Sequence, residues 1–291
     1  MRRLFVFAAA VAMFFSCSES PIPEPEPQPE PKPEKWAINI STNITKATDT
    51  AFENGDKVGI YVVNVPNALK ANGNHADNIG FSYSGSWSTS TPIFWKDETT
   101  KADFYCYYPY ESSIANVEAY QFEVKADQSN IENYKSSDFL WGKSASVAPT
   151  QNAVDITVKH LLSKVVVNLV AGNGYSDQDM QSASVRVCGL KTQSTINLAT
   201  GEVTATGEPQ DITPNTSNNQ ISALVIPQKV SDTELIKVTI GEKEYILKQS
   251  IELKSGKQHT CTLTVERYNQ GINIGITGWE TDDDDFGGTV E

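Results

Sequence analysis

Four cysteines, three histidines and a run of four aspartates are the residues of this 291-residue chain whose types could do chemistry. Cys106, Cys188 and Cys261 contain no CxxC pair, so a tetrahedral zinc site has no spacing to build on. His75, His160 and His259 are scattered, with neither an HExxH motif nor an i, i+4 pair. No GxSxG elbow, phosphate loop or dinucleotide fingerprint occurs. Asp282–Asp285 lacks the alternation of a calcium loop and reads as a solvated acidic loop. A catalytic carboxylate pair is defined by spatial separation, which 36 acids in a linear sequence leave open. The expectation is a chain with no catalytic, cofactor-binding or metal-ligating residues, and not an enzyme. Cys106 and Cys261 sit in strand patterns and read as buried free thiols; a Cys188–Cys261 disulfide stays open.

Cys17 has a different setting. Arg2-Arg3 and the 12 apolar residues Leu4–Phe15 form the charged and apolar regions of a signal peptide, too short to span a bilayer. The run ends at Phe14-Phe15-Ser16-Cys17, which looks like a bacterial lipobox. Residues 1–16 are then a lipoprotein signal peptide and Cys17 the lipidation site. Several acyl chains at about 0.8 kcal/mol per buried methylene give a firm anchor. Pro21–Pro33, nearly every second residue proline, favours extended polyproline II at about 3.1 Å per residue and cannot build a core. Residues 17–35 therefore read as a lipidated spacer that holds the folded part off a membrane.

The elements behind the spacer are strands. Val58–Val63 follows the turn Asn54-Gly55-Asp56, whose residues supply positive φ between two apolar runs. In Ala102–Tyr110, Phe104, Cys106 and Tyr108 share one face, and Tyr105 and Tyr107 the other. Ile156, Val158 and His160 alternate, the pattern pauses at Leu161–Lys164, and a dense β-branched run resumes over Val165–Val170. Further strands are expected at Trp36–Ile40, Gly80–Gly85, Pro92–Trp95, Tyr120–Lys125 and Phe139–Lys143. The later part adds Ser184–Leu190, Thr195–Leu198, Ile221–Ile226, Ile236–Ile240, Glu244–Lys248, His259–Arg267 and Ile272–Ile276. Short strands punctuated by Gly, Pro, Asn and Ser predict a mostly antiparallel all-β protein, with a boundary between residues 36–147 and 148–291. The formal charge of −13 repels phosphate, which excludes nucleic acid as an expected partner.

Several stretches, in this order, resemble the fimbrillin family, the subunits of type V pili of anaerobic Gram-negative bacteria. They are NGDKVGIYV (54–62), PIFWKDETTKADFYCYYPY (92–110), DFLWGK (138–143), His160 with Lys164 and its strand, ALVIPQ (223–228) and Ile251–Val265. The resemblance implies two tandem transthyretin-like β-sandwich domains. It also implies a structural and adhesive subunit, exported as a lipoprotein to the outer membrane and assembled into a fimbrium at the cell surface. Its partners would be other fimbrial subunits and a receptor on a host or bacterial surface. In the family a protease removes the N-terminal segment with its first strand, and a neighbour's C-terminal strand fills the groove. Lys46-Ala47 falls at the position of that cut, with lysine where an arginine-specific enzyme wants arginine. Ile272, Ile274 and Ile276, followed by Trp279, match a donor strand, the alternative being an ordinary final strand of residues 148–291. The competing class is a surface glycan-binding lipoprotein, with Trp87, Trp95 and Trp141 as a sugar-stacking platform.

Overall fold

The apolar run Val58–Val63 has no polar alternation because its strand is buried on both faces. In the computed structural model, which describes residues 35–44, 52–267 and 274–281, Val58, Ile60 and Val62 enter one core. Tyr61 and Val63 enter another. A strand covered on both sides needs no solvent-facing polar residues, so its sequence becomes a continuous hydrophobic block.

The first strands in chain order are β1 (Ile40–Ile44), β2 (Lys57–Asn64), β3 (Ala76–Tyr83), β4 (Trp87–Ser88), β5 (Ala102–Tyr108) and β6 (Tyr120–Glu123). The short helix α1 (Ile131–Ser136) precedes β7 (Leu140–Val147), β8 (Val154–His160) and β9 (Ser163–Ala171). A second six-residue helix, α2 (Asp177–Ser182), starts with a Ser176–Asp179 capping box. Then come β10 (Ser184–Asn197), β11 (Glu202–Ile212), β12 (Asn215–Ser217) and β13 (Gln220–Val225). The chain continues through β14 (Gln228–Ile240), β15 (Lys243–Leu253), β16 (Gln258–Val265) and β17 (Ile274–Thr281).

Seven strands form one sheet in the order β1-β8-β7-β5-β2-β3-β4. A second sheet runs β11-β10-β14-β15 with β6 beside β10, and a third β12-β13-β9-β16-β17. The Asn54-Gly55-Asp56 turn forms as expected, with Gly55 at φ +101°. β5 places Ala102, Phe104 and Cys106 in the core that holds Val58, and Tyr105 and Tyr107 in the other.

The pause at Leu161-Leu162 is the point where the chain changes sheets. β8 sends Val154, Ile156 and Val158 into the first core, whereas β9 sends Val165 and Val167 into the second. Residues 154–160, assigned from the sequence to the later half, thus hydrogen-bond with β7 and β1 in the seven-stranded sheet. The reverse crossing occurs earlier. β6, assigned to the first half, pairs with β10 through Phe122↔Ser194 and its neighbours. The pairings of β1 with β8 and of β6 with β10 join strands 70 or more residues apart in sequence.

Gln128 fixes that crossing. Its fully buried amide donates to Leu224 O at 2.7 Å and accepts from Leu224 N at 2.9 Å, completing a strand-like exchange with a side chain. Gln128→Met keeps the volume but leaves both backbone groups unpaired in the core. It is expected to destabilise by about 2 kcal/mol, read as a lower denaturant midpoint with an unchanged slope.

Candidate functional site

The first strand, residues 36–44, closes one side of the first core. Its early part lies against 93–95: Ile38 N donates to Ile93 O at 2.8 Å and Trp95 N to Trp36 O at 3.0 Å. Its later part, β1, runs parallel to β8 in the register Ile40↔Val154 to Ile44↔Val158. Val154 N adds a bond to Asn39 O at 2.8 Å. The strand therefore uses both backbone edges, in succession, to close a gap between two other segments.

Its side chains alternate as the pleat requires. Ile38 and Ile40 point inward among Ile93, Trp95, Val154 and Ile156, and each such burial is worth about 2 kcal/mol. On the outer face the Ser41 hydroxyl donates to the Asp155 carboxylate. Thr42 Oγ1 accepts from Trp87 Nε1 at 2.8 Å. Because β1 and β4 end the sheet order on opposite sides, the Trp87–Thr42 bond joins the two ends and curls the sheet around its core.

Trp87 is held by other rings. Phe52 meets it edge-on with centroids 4.9 Å apart, and Tyr83 tilts against it at 5.1 Å. Trp95 and Trp141 are buried, at 5% and 9% exposure, and their indole N–H groups donate to Thr150 O and Leu198 O. The three tryptophans of the competing sugar-platform reading are thus two core residues and one half-buried residue packed among other rings.

The other candidates distribute as follows. Cys17, Lys46, Ala47, Ile272 and Asp282–Asp285 lie outside the described residues. Ile274, Ile276 and Trp279 lie on β17, antiparallel to β16 and paired with Val265, Leu263 and Cys261. β17 is the terminal strand of its sheet. Cys106, Cys188 and Cys261 are free and buried, and no disulfide joins Cys188 to Cys261. Desolvation raises all three thiols, Cys188 and Cys261 to about 12, which removes thiolate character at neutral pH. Among the described residues no group of three or more His, Cys, Asp or Glu is placed to hold a metal ion.

The histidines are tied into the frame. His160 Nδ1 lies 2.8 Å from the Asp138 carboxylate where the chain leaves the first sheet. His75 Nε2 lies 2.7 Å from Phe94 O. Buried His259 accepts from Lys254 N through Nε2 at 3.1 Å. Burial first, and then the Lys254 charge, lower its pKa below 6.5. The folded state thus prefers the neutral ring, so protonation favours the unfolded chain, and stability present at neutral pH is lost as pH falls below about 6.5. His259→Gln is expected to lose less Tm than the native protein between pH 7 and pH 5, measured by thermal melts at both pH values.

Sequence reasoning missed Ser41, Thr42, Asp155 and Gln128. Their partners are distant in sequence, and short hydroxyl and amide residues in strands carry no local signal of what they will meet.

Comparison with known proteins supports one family. The fimbrillin-like family matches residues 45–279. A Bacteroides uniformis protein described as a candidate fimbrium subunit is 24% identical over 255 residues, 81% of each chain. A candidate cell adhesion protein of Bacteroides uniformis has a crystal structure similar at TM-score 0.68, with 21% identity over 87% of this chain and 99% of that one. A second, from Bacteroides ovatus, reaches TM-score 0.69 at 19% identity, covering 85% and 98%. These two likenesses show the shared fold. The match over residues 45–279, most of the chain, shows the family: the chain belongs to the fimbrillin-like proteins, a structural rather than an enzymatic family.

Proposed function

We propose that this structural and adhesive fimbrial subunit is exported as a lipoprotein anchored through Cys17 and is assembled at the cell surface by strand exchange. The observation that carries the reading is the first strand. It closes the first core through two backbone edges and two inward isoleucines, and Lys46-Ala47 follows after Thr45. Cleavage there would free residues 36–44 from the rest of the chain. Its departure would uncover both the β8 edge and the apolar core, which strongly favours entry of a replacement strand.

The C-terminal segment has the sequence to supply one. Ile272-Asn273-Ile274 repeats the tripeptide Ile38-Asn39-Ile40. Other subunits of the same fimbrium are the partners, and a surface receptor is the target of adhesion. The Trp87, Trp95 and Trp141 positions give no support to the glycan-platform alternative.

Limited digestion of the folded, signal-less chain with a lysine-specific protease tests this, with mass spectrometry to map the cut and size exclusion to follow assembly. The expected result is one dominant cut after Lys46 and higher oligomers that vanish when 272–291 are deleted. A resistant Lys46 with a persistent monomer would sink the processing step.

A further inference from the structure

Strand exchange by backbone bonds alone would accept any extended apolar segment, yet two side-chain contacts here discriminate. Trp87 Nε1 has its acceptor on the first strand, Thr42 Oγ1 at 2.8 Å. Phe52 and Tyr83 pack against Trp87, and Tyr83 and Tyr108 pack against Phe52. The rings that pack on the indole lie outside the first strand, and its N–H points at one position of that strand. Resting on the strand-exchange reading above, we infer that Trp87 selects the incoming strand, requiring a hydrogen-bond acceptor side chain at the position of Thr42.

The slot then reads a pattern. Inward aliphatic residues occupy the places of Ile38 and Ile40. A hydroxyl donor at the place of Ser41 meets Asp155 on the outer face. An acceptor at the place of Thr42 (serine, threonine, asparagine or aspartate) satisfies the indole. A strand with an aliphatic residue there leaves the Trp87 N–H unpaired as it is covered, and the cost of an orphaned donor falls on that strand alone. The chain's own Ile272-Asn273-Ile274 continues as Gly275-Ile276. Entered in the matching register, it lacks both side-chain contacts. A copy of this chain is accordingly a weaker ligand for its own slot than a subunit carrying the two hydroxyls.

The test uses the signal-less chain with residues 45–51 replaced by the recognition sequence of a site-specific protease. After the nick, fluorescent peptides of residues 35–44 exchange into the slot and their dissociation is timed. The Thr42→Val peptide is expected to leave about tenfold faster than the native peptide. On the Trp87→Phe protein, which keeps the aromatic packing but has no N–H, the two peptides are expected to leave at the same rate. Equal rates on the native protein would overturn selection by Trp87 while leaving strand exchange intact. Entry of neither peptide would overturn strand exchange and this inference with it.

Discussion

Replacing Trp141 by alanine is expected to destabilise the protein by about 4 kcal/mol, the range for emptying a large aromatic site in a core. For a unit of this size the fall in Tm is on the order of 10 °C. The indole stands on β7 of the seven-stranded sheet and donates to Leu198 O at the turn between β10 and β11, 2.8 Å away. Gly201 lies against the ring face: a Cβ there would sit 2.5 Å from it, at a φ of +74° that disfavours any side chain. One residue therefore fills the joint between two sheets. Trp141→Phe keeps most of the packing and loses the hydrogen bond, so it is expected to cost much less. Thermal melts of the two variants and of Gly201→Ala check the assignment; a small loss for Trp141→Ala would mean that the joint collapses without penalty.

The second large effect concerns cutting the chain in two. Residues 35–147 and 148–291, expressed separately, are expected to be insoluble or unfolded. The early piece lacks β8, so β7 and β1 lose the strand that lies between them. The later piece lacks β6 from the edge of β10, Gln128 from Leu224 and Trp141 from Leu198. Each piece would expose unpaired edges and apolar surface together. Expressed together, the pieces are expected to recover a soluble complex, and the intact chain to unfold in one transition by both circular dichroism and tryptophan fluorescence. Two separate transitions would show that the halves are independent.

Much of the fold was legible where a strand's environment is local. The strands β2 and β5, the turn at Gly55 and the break at Leu161-Leu162 all follow from residue type and period. β11 was not legible. Glu202–Ile212 is an exposed edge strand containing Gly207 and Pro209, so it has neither apolar alternation nor a clean β-propensity run. β10 reads as two short strands because Lys191-Thr192-Gln193 interrupts its apolar pattern, although the backbone continues from Ser184 to Asn197. Of the candidate site, the inward residues Ile38 and Ile40 were legible from alternation. Thr42 and Ser41 were not, since Trp87 reaches Thr42 only when the two ends of the sheet meet, and Asp155 faces Ser41 only once the distant strands β1 and β8 have paired.

The parallel register of β1 on β8 has a mechanical consequence. In a polymer built by strand exchange, tension along the filament would pull the inserted strand along its own axis. Five consecutive partner pairs, Ile40↔Val154 to Ile44↔Val158, would then resist together in shear, rather than parting one after another as in a peeled hairpin. From β8 the load would pass through Leu161-Leu162 into β9 and across to β16. That route is continuous backbone and strand ladder, with no flexible linker to stretch. Such a subunit would transmit flow forces stiffly and fail, at a high threshold, by the strand slipping from its slot.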